Sequence, residues 1–286
     1  MSRLKILLIL FFVCFTAQTS VLQANIKNIN IALGIPIHKK EIDNYLIDRP
    51  QYVLSYNNKL CAANWVSWHL SEDWFGKSGR YSGAFISDTC LPENFYRVKH
   101  SDYTNSGYDR GHLVRSEERT KTKDDNISTF LLTNVIPQTA DLNRGVWLKF
   151  ENFCKELCIK HNKQLIITAG GLYTNNSTNK TIKDKIFIPD SCWKIVLILD
   201  KLVAPHNLVE YVTSETEVIA VMMPNVLNIR NEDWEKYLTT VRKIEISTGF
   251  DFFTDVPKEI QDIIENNQFE NTYKNKTIRK VIKKKK

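Results

Sequence analysis

SGYDRGHLVRSEERT (106–120) and NRGVWLKFENFCKELCIKH (143–161) are the two stretches on which the reading of this chain turns. The second spaces Trp147, Phe150, Phe153, Cys154, Leu157 and Cys158 three and four residues apart, which predicts an amphipathic helix over 143–161. The first has no such period: six charged side chains and His112 crowd into its fifteen positions. Histidine titrates near neutrality, so His112 is a candidate to take a proton from water, and Gly111 beside it would let the backbone approach whatever His112 faces. The plain alternative is a surface histidine in a charged turn. Asn143 offers a neutral oxygen that suits a hard cation such as magnesium, or it caps the helix start. Glu151 falls on nearly the same helix face, where a carboxylate can hold metal-bound water, or simply meet solvent.

Outward from these stretches the pattern is strand-heavy. Tyr52 to Lys59 is a β-rich run ending in a turn signal, preceded by a helix-like opening, and Asn64 to Leu70 alternates as a half-buried strand paired with it. Residues 71–105, with Gly76, Gly79, Gly83 and Pro92, read as long irregular connections. A helix starts in Thr122 to Asn134, and strands are expected over 164–169, 186–189, 193–199 and 218–223. Further helices fall over 233–236, over 241–248 with Gly249 closing it, and over 257–267. No period recurs. The fold class expected is α+β, an antiparallel β-sheet core with flanking helices.

Composition and charge set the outer limits. With 286 residues, 43% hydrophobic and 25% charged, the chain can bury one sizeable core, which excludes disordered and collagen-like classes. Residues 1–24 carry Arg3 and Lys5, an apolar run from Ile6 to Phe15 and then small and polar residues, as an export signal does, with cleavage after Ala24 or earlier at Ala17. The expected location is secreted or periplasmic; the alternative is a protein membrane-anchored by an uncleaved N-terminus. The formal charge is +7, but the signal holds +2 and residues 274–286, KNKTIRKVIKKKK, hold +8, which leaves −3 for the domain at 25–273. Phosphate attraction in that domain must therefore come from a local patch, while the tail offers a non-specific grip on polyanions or anionic lipid, or is a solvated terminus.

Outside the signal lie Cys61, Cys90, Cys154, Cys158 and Cys192, which in an oxidising compartment permit up to two bridges and a spare thiol. A Cys154–Cys158 bridge is awkward one helical turn apart, so partners elsewhere are expected. With His161 these cysteines do not make a zinc spacing. Asn126, Asn175, Asn176, Asn179 and Asn275 are glycosylation sequons.

Tyr108-Asp109-Arg110-Gly111-His112-Leu113, then Thr133-Asn134-Val135-Ile136-Pro137-Gln138, then Asn143-Arg144-Gly145-Val146-Trp147 running to Glu151, closely resemble the DNA/RNA non-specific endonucleases with the ββα-metal (His-Me finger) fold. That group includes secreted cyanobacterial and bacterial nucleases and mitochondrial endonuclease G. NWVSWHL, WKIVLILD and Thr248-Gly249-Phe250-Asp251-Phe252 extend the resemblance over most of 50–255.

The resemblance implies that His112 is the general base and that Asn143 is the direct protein ligand of Mg2+, for which Mn2+ can substitute. It implies that Glu151 orients metal-bound water and that Arg80 contacts the scissile phosphate. Arg110 then contributes charge at the site and Asp109 supports it. The implied substrates are double- and single-stranded DNA and RNA, cut to 5′-phosphate and 3′-hydroxyl ends; a homodimer and a protein inhibitor are further implied partners. The alternative is a catalytically silent nucleic-acid-binding protein on the same scaffold. Where relatives continue Leu-Ala-Pro after the histidine, this chain has Leu113-Val114-Arg115. The path there is expected to be looser, or else Arg115 touches the substrate backbone, with Arg144 as the second substrate-binding arginine.

Overall fold

The computed structural model of the protein describes residues 28–174, 180–201 and 205–273. The export-signal segment, the basic tail and the sequons at Asn175, Asn176, Asn179 and Asn275 lie outside them. In chain order the strands are β1 (Ile37–His38), β2 (Tyr45–Asp48), β3 (Val53–Asn57), β4 (Ala62–Leu70), β5 (Asp109–His112), β6 (Val135–Gln138), β7 (Lys163–Leu172), β8 (Thr181–Ile182), β9 (Ile186–Phe187), β10 (Ser191–Asp200), β11 (Val218–Pro224), β12 (Leu238–Thr239) and β13 (Phe250–Asp251). The helices are α1 (Lys123–Ser128), α2 (Trp147–His161), α3 (Val241–Thr248) and α4 (Lys258–Ile264).

Seven strands form one antiparallel sheet in the order β12-β11-β10-β7-β4-β3-β2. Side chains alternate between its faces, so each long strand feeds two cores. One face sends Leu54, Trp68, Ile167, Val196 and Val221 against Trp147, Phe150, Cys154 and Leu157 of α2. The other sends Trp65, Ile166, Trp193, Ile195 and Ala220 against Val241 and Ile244 of α3, Phe252, and Ile264 of α4. This corrects the half-buried reading of 64–70: β4 is buried at every position because both faces are covered. Its polar residues are accommodated by hydrogen bonds, such as Ser67 Oγ donating to the Asn30 carbonyl at 2.6 Å.

The helices follow local chemistry. Thr122 caps α1 by accepting from the Asp125 amide, Thr240 caps α3 by accepting from the Lys243 amide, and α3 closes at Gly249 with φ +81°. Two helical expectations are corrected. The opening before β3 is only a 3-10 turn at Ile29–Ile31 followed by β1 and β2, because β1 pairs with the distant β13, Ile37 opposite Asp251. Residues 233–236 form a 3-10 turn at Trp234–Tyr237 rather than an α-helix.

The helix predicted from 143 begins regular winding only at Trp147. Before it, Leu142–Val146 makes a wide π-type turn broken at Gly145 (φ −120°, ψ −110°). Asn143 is therefore no N-cap. A Cβ on Gly145 would sit 2.6 Å from the Arg230 Cα, so the turn is pressed onto that backbone and only glycine fits. The hairpin β5–β6 stands apart from the large sheet and is followed by this turn and α2, a ββα unit laid on the α2 face.

Among the described residues no cysteines are bridged: Cys61, Cys154, Cys158 and Cys192 are buried thiols and Cys90 is an exposed one, so the expected bridges are not seen there. The sequon at Asn126 is also overturned. Its side chain is 1% exposed, donates to the carbonyls of Ser116 and Arg119 and accepts from the Tyr81 amide, leaving no nitrogen for a glycan.

Candidate active site

The ββα unit brings the two opening stretches together. In the hairpin Asp109 pairs with Gln138, Arg110 with Pro137, Gly111 with Ile136 and His112 with Val135. Gly111 serves the hairpin rather than a ligand: a Cβ there would lie 2.2 Å from Gln138 Oε1. After His112 the chain is held on both sides of Val114. The Leu113 amide donates to the Asn134 carbonyl at 3.0 Å, the Val114 amide to Asn134 Oδ1 at 2.9 Å, and Asn134 Nδ2 returns a bond to the Val114 carbonyl at 2.9 Å. Asn134 thus ties down the path expected to be looser without proline.

His112, Arg80, Asp109, Arg110, Arg115, Asn143, Arg144 and Glu151 all line one open cleft of about 350 Å³. A slightly larger hollow of about 410 Å³, between the β3–β4 turn and the end of α3, contains none of them, and chemistry rather than size selects the cleft. The His112 ring packs between Phe85 and Phe130, with centroids 5.0 Å from each. Its Nε2 is sealed from solvent and has no hydrogen-bond partner among the described residues. Burial, then the charges of Arg80 and Arg115, push its pKa down to about 3, so the imidazole is a neutral acceptor at neutral pH.

Asp109 organises the groups at one end of the cleft. Its carboxylate takes a bidentate fork from Arg144, Nε at 2.7 Å and Nη2 at 2.5 Å, and also accepts from Asn143 Nδ2 at 2.9 Å. That bond fixes the amide so that Asn143 Oδ1, which accepts nothing from the described residues, is the atom left to a ligand. Glu151, 5% exposed, is the floor carboxylate. This donor set, one free amide oxygen beside a largely buried carboxylate, fits a hard cation that keeps water in its shell.

The arginines divide. Arg80 is exposed, stacks over Phe130 at 4.9 Å and donates to Ser116 Oγ. Arg110 lies over Phe85 and Tyr103 and donates to the His100 carbonyl at 2.7 Å. Arg144, although paired with Asp109, keeps 62% of its side chain exposed. Arg115, expected to touch the substrate backbone, lines the cleft but is 7% exposed, with its guanidinium taken up by Glu117, by Asn152 Oδ1 at 2.9 Å and by Glu151 at 3.9 Å.

Phe85, Phe130, Glu118 and Lys194 were not picked out as site residues by sequence reasoning. Lys194 carried a visible signal, a lone charge inside an apolar strand; the aromatic pair carried none, since it comes from the irregular 71–105 stretch and the end of α1.

The family described as DNA/RNA non-specific endonuclease matches residues 32–259. A nuclease of Nostoc sp. is 45% identical over 224 residues, 78% of each chain, and the mitochondrial nuclease EXOG of Danio rerio is 30% identical over 156 residues, 51% of this chain and 45% of that one. A solved structure of the EndoG/EndoGI complex superposes with a TM-score of 0.66 at 22% identity, over 80% of this chain and 92% of that chain, and shares the fold. With the family match running from the N-terminal strands past α3 and the ββα unit carrying its motif, the chain belongs to the DNA/RNA non-specific endonucleases, metal-dependent enzymes that hydrolyse nucleic acids.

Proposed function

We propose that this enzyme hydrolyses phosphodiester bonds of both DNA and RNA, single- or double-stranded, leaving 5′-phosphate and 3′-hydroxyl ends, with Mg2+ as its cation and Mn2+ as a substitute. The single observation that carries the reading is the meeting of a neutral imidazole with a free ligand atom: His112 and Asn143, whose Oδ1 accepts no hydrogen bond from the described residues, line the same cleft. Asn143 would hold the cation, and Glu151 would accept hydrogen bonds from the waters around it. When bound, the cation supplies stabilisation of charge on the phosphate and the departing oxygen.

The remaining chemistry belongs to the chain. Neutral His112 accepts the proton of the attacking water. Phe85 and Phe130 hold its ring in place while Arg80 meets the scissile phosphate from the exposed rim. Asp109 keeps Asn143 from rotating and holds Arg144 at the edge, where its exposed face can meet a flanking phosphate. With Arg80 and Arg144 among the residues that line the cleft, recognition rests on phosphates and is strongly salt-dependent, with no need of a 2′-hydroxyl.

The proposed location is secreted or periplasmic, supported by the reading of residues 1–24 as an export signal, with membrane anchoring as the alternative. A second copy of this chain and a protein inhibitor, of the kind the EndoG/EndoGI complex names, are the protein partners this reading includes.

The test uses the purified protein with supercoiled plasmid and with single-stranded RNA, in magnesium and then in excess chelator. Metal-dependent nicking of the plasmid together with RNA degradation is the expected result. A folded protein that cuts neither substrate, with manganese also tried, would overturn the reading in favour of a silent binding protein.

A further inference from the structure

Lys194 stands in the middle of β10, in an otherwise apolar run, and is 1% exposed. Lysine is almost never buried so completely without a partner, because stripping water from an ammonium costs several kcal/mol. Strand alternation places it on the α2 face of the sheet, in line with Cys192 and Val196. There its Nζ lies 4.3 Å from the ring centroid of Trp147, 5.2 Å from that of Trp68, and 3.5 Å from Glu151 Oε1. The other oxygen of Glu151 faces Arg115 Nε at 3.9 Å. One carboxylate thus meets a buried cation on each side.

Glu118 balances the charge. It is 1% exposed, its Oε2 accepts from Trp68 Nε1 at 2.9 Å, and its Oε1 has no partner. Burial raises its pKa and the nearby Lys194 opposes that rise. Two carboxylates and two cations therefore lie in and under the cleft floor. For stability alone such a cluster is a poor solution, since apolar packing of the same volume is often as good or better. Its one end that faces both the cations and the cleft is Glu151; Lys194 itself does not line the cleft.

We propose that Lys194 is a positioning residue for Glu151: acting on one carboxylate oxygen while Arg115 acts on the other, it fixes the rotation of the carboxylate so that its remaining lone pairs face the waters of the cleft. The inference rests on the role given to Glu151 above. Lys194 contributes to turnover only through that carboxylate, and not through contact with nucleic acid.

The experiment is a mutant cycle on the full enzyme. Lys194→Met alone would strand two buried carboxylates, so it is combined with Glu118→Gln, which removes one charge of each sign. This pair, Glu151→Gln, and the triple variant are compared by circular dichroism, by kcat and KM on plasmid, and by Mn2+ affinity from water-proton relaxation. The pair is expected to fold, to keep KM, and to lose about 10- to 100-fold in kcat with weaker Mn2+ binding, as other supports of metal sites do. The triple variant is expected to be no slower than Glu151→Gln, because the two act as one unit.

A pair variant with kcat and Mn2+ affinity within about twofold of the parent, or a triple variant whose loss is the product of the separate losses, overturns the proposal. Full activity in Glu151→Gln overturns the reading of Glu151 itself and the proposal with it, whereas a slow Glu151→Gln beside a fast pair overturns the proposal alone. If the pair does not fold, Lys194→Arg keeps a cation in the slot. Then kcat near that of the parent supports the clamp, and a fall as large as that of Glu151→Gln overturns it.

Discussion

At the scale of single residues the cleft is an arrangement of atoms left deliberately unsatisfied. His112 is the clearest: its Nε2, sealed from solvent, has no partner among the described residues, which costs free energy, and the ring persists at the cleft beside two arginines. Removing the imidazole in His112→Ala should lower kcat by about 10²- to 10⁴-fold with the fold intact, as expected for loss of a general base. Plasmid cleavage beside circular dichroism checks this, and an undiminished rate sinks the mechanism. The same environment sets a pH expectation. The base works when neutral, and its folded-state pKa is lowered to about 3, so the acidic limb of kcat/KM should lie well below the ordinary histidine value near 6.5. A limb at or above that value would show that His112 is not the group titrating. Asp109 is the second residue whose loss is informative. Asp109→Asn would free the Asn143 amide and Arg144 together, and Mn2+ affinity should weaken about 10- to 100-fold while His112 is untouched. Unchanged affinity would mean that the amide is held some other way.

At the scale of elements the decisive device is the turn between β6 and α2. Gly145 presses its Cα against the Arg230 backbone, and that contact sets where Asn143 stands relative to His112. Gly145→Ala forces a methyl into space 2.6 Å from backbone, so the turn must move; a stability loss of roughly 1–3 kcal/mol is expected from overpacking. Turnover should fall further than stability does, and Glu151, anchored on the regular part of α2, should keep its place. Denaturant midpoints set beside kcat test this, and a variant as active as the parent would show that the turn tolerates displacement. This element also marks where sequence reading stops. The helix stripe from Trp147 to Cys158 was legible because its spacing is local, whereas the wide turn before it is imposed by a segment some 85 residues later. In the same way DRGH was legible as a site and Gly111 was not legible as a packing glycine, since the obstacle, Gln138, sits across the hairpin. Arg115 is the same kind of case: its charge could be read, but its burial depends on Glu117, Asn152 and Glu151 converging on it.

At the scale of the molecule a two-faced sheet separates the chemistry from a purely structural layer. The long strands could be read from their apolar runs, but β1, β2 and β13 could not, because two- and four-residue strands carry no period and owe their existence to partners far along the chain. The sheet and its flanks also bury titratable groups of opposite tendency, and these fix how stability responds to pH. His69, buried and bonded to Gln164, is lowered to about 4 by desolvation, and His112 to about 3. Below pH 6.5 the unfolded chain therefore binds two protons that the folded chain refuses, and acid destabilises. Glu265 acts in the opposite sense. Burial, and then the neighbouring Glu245 that shares Arg242 with it, raise it to about 7, so from pH 7 down to the ordinary glutamate value the folded chain holds a proton that the unfolded chain lacks. Glu245 and Glu118, both raised by burial, add to that side. The two tendencies offset each other between about pH 6.5 and 4.5. Below that window the glutamates are protonated in both states and drop out, while the histidines continue to cost. Asp88 joins them: burial would raise it, but bonds from Thr133, the Cys90 amide and Arg49 leave it lowered, so its stabilisation is lost as acid protonates it. The melting temperature should hence change little from pH 7 to 5 and then fall by about 5–10 °C by pH 4. His69→Gln should soften the fall, since it deletes one of the refused protons. A melting temperature that declines evenly from pH 7 downward, unchanged in slope by His69→Gln, would show that neither the raised carboxylates nor the buried histidine governs the response.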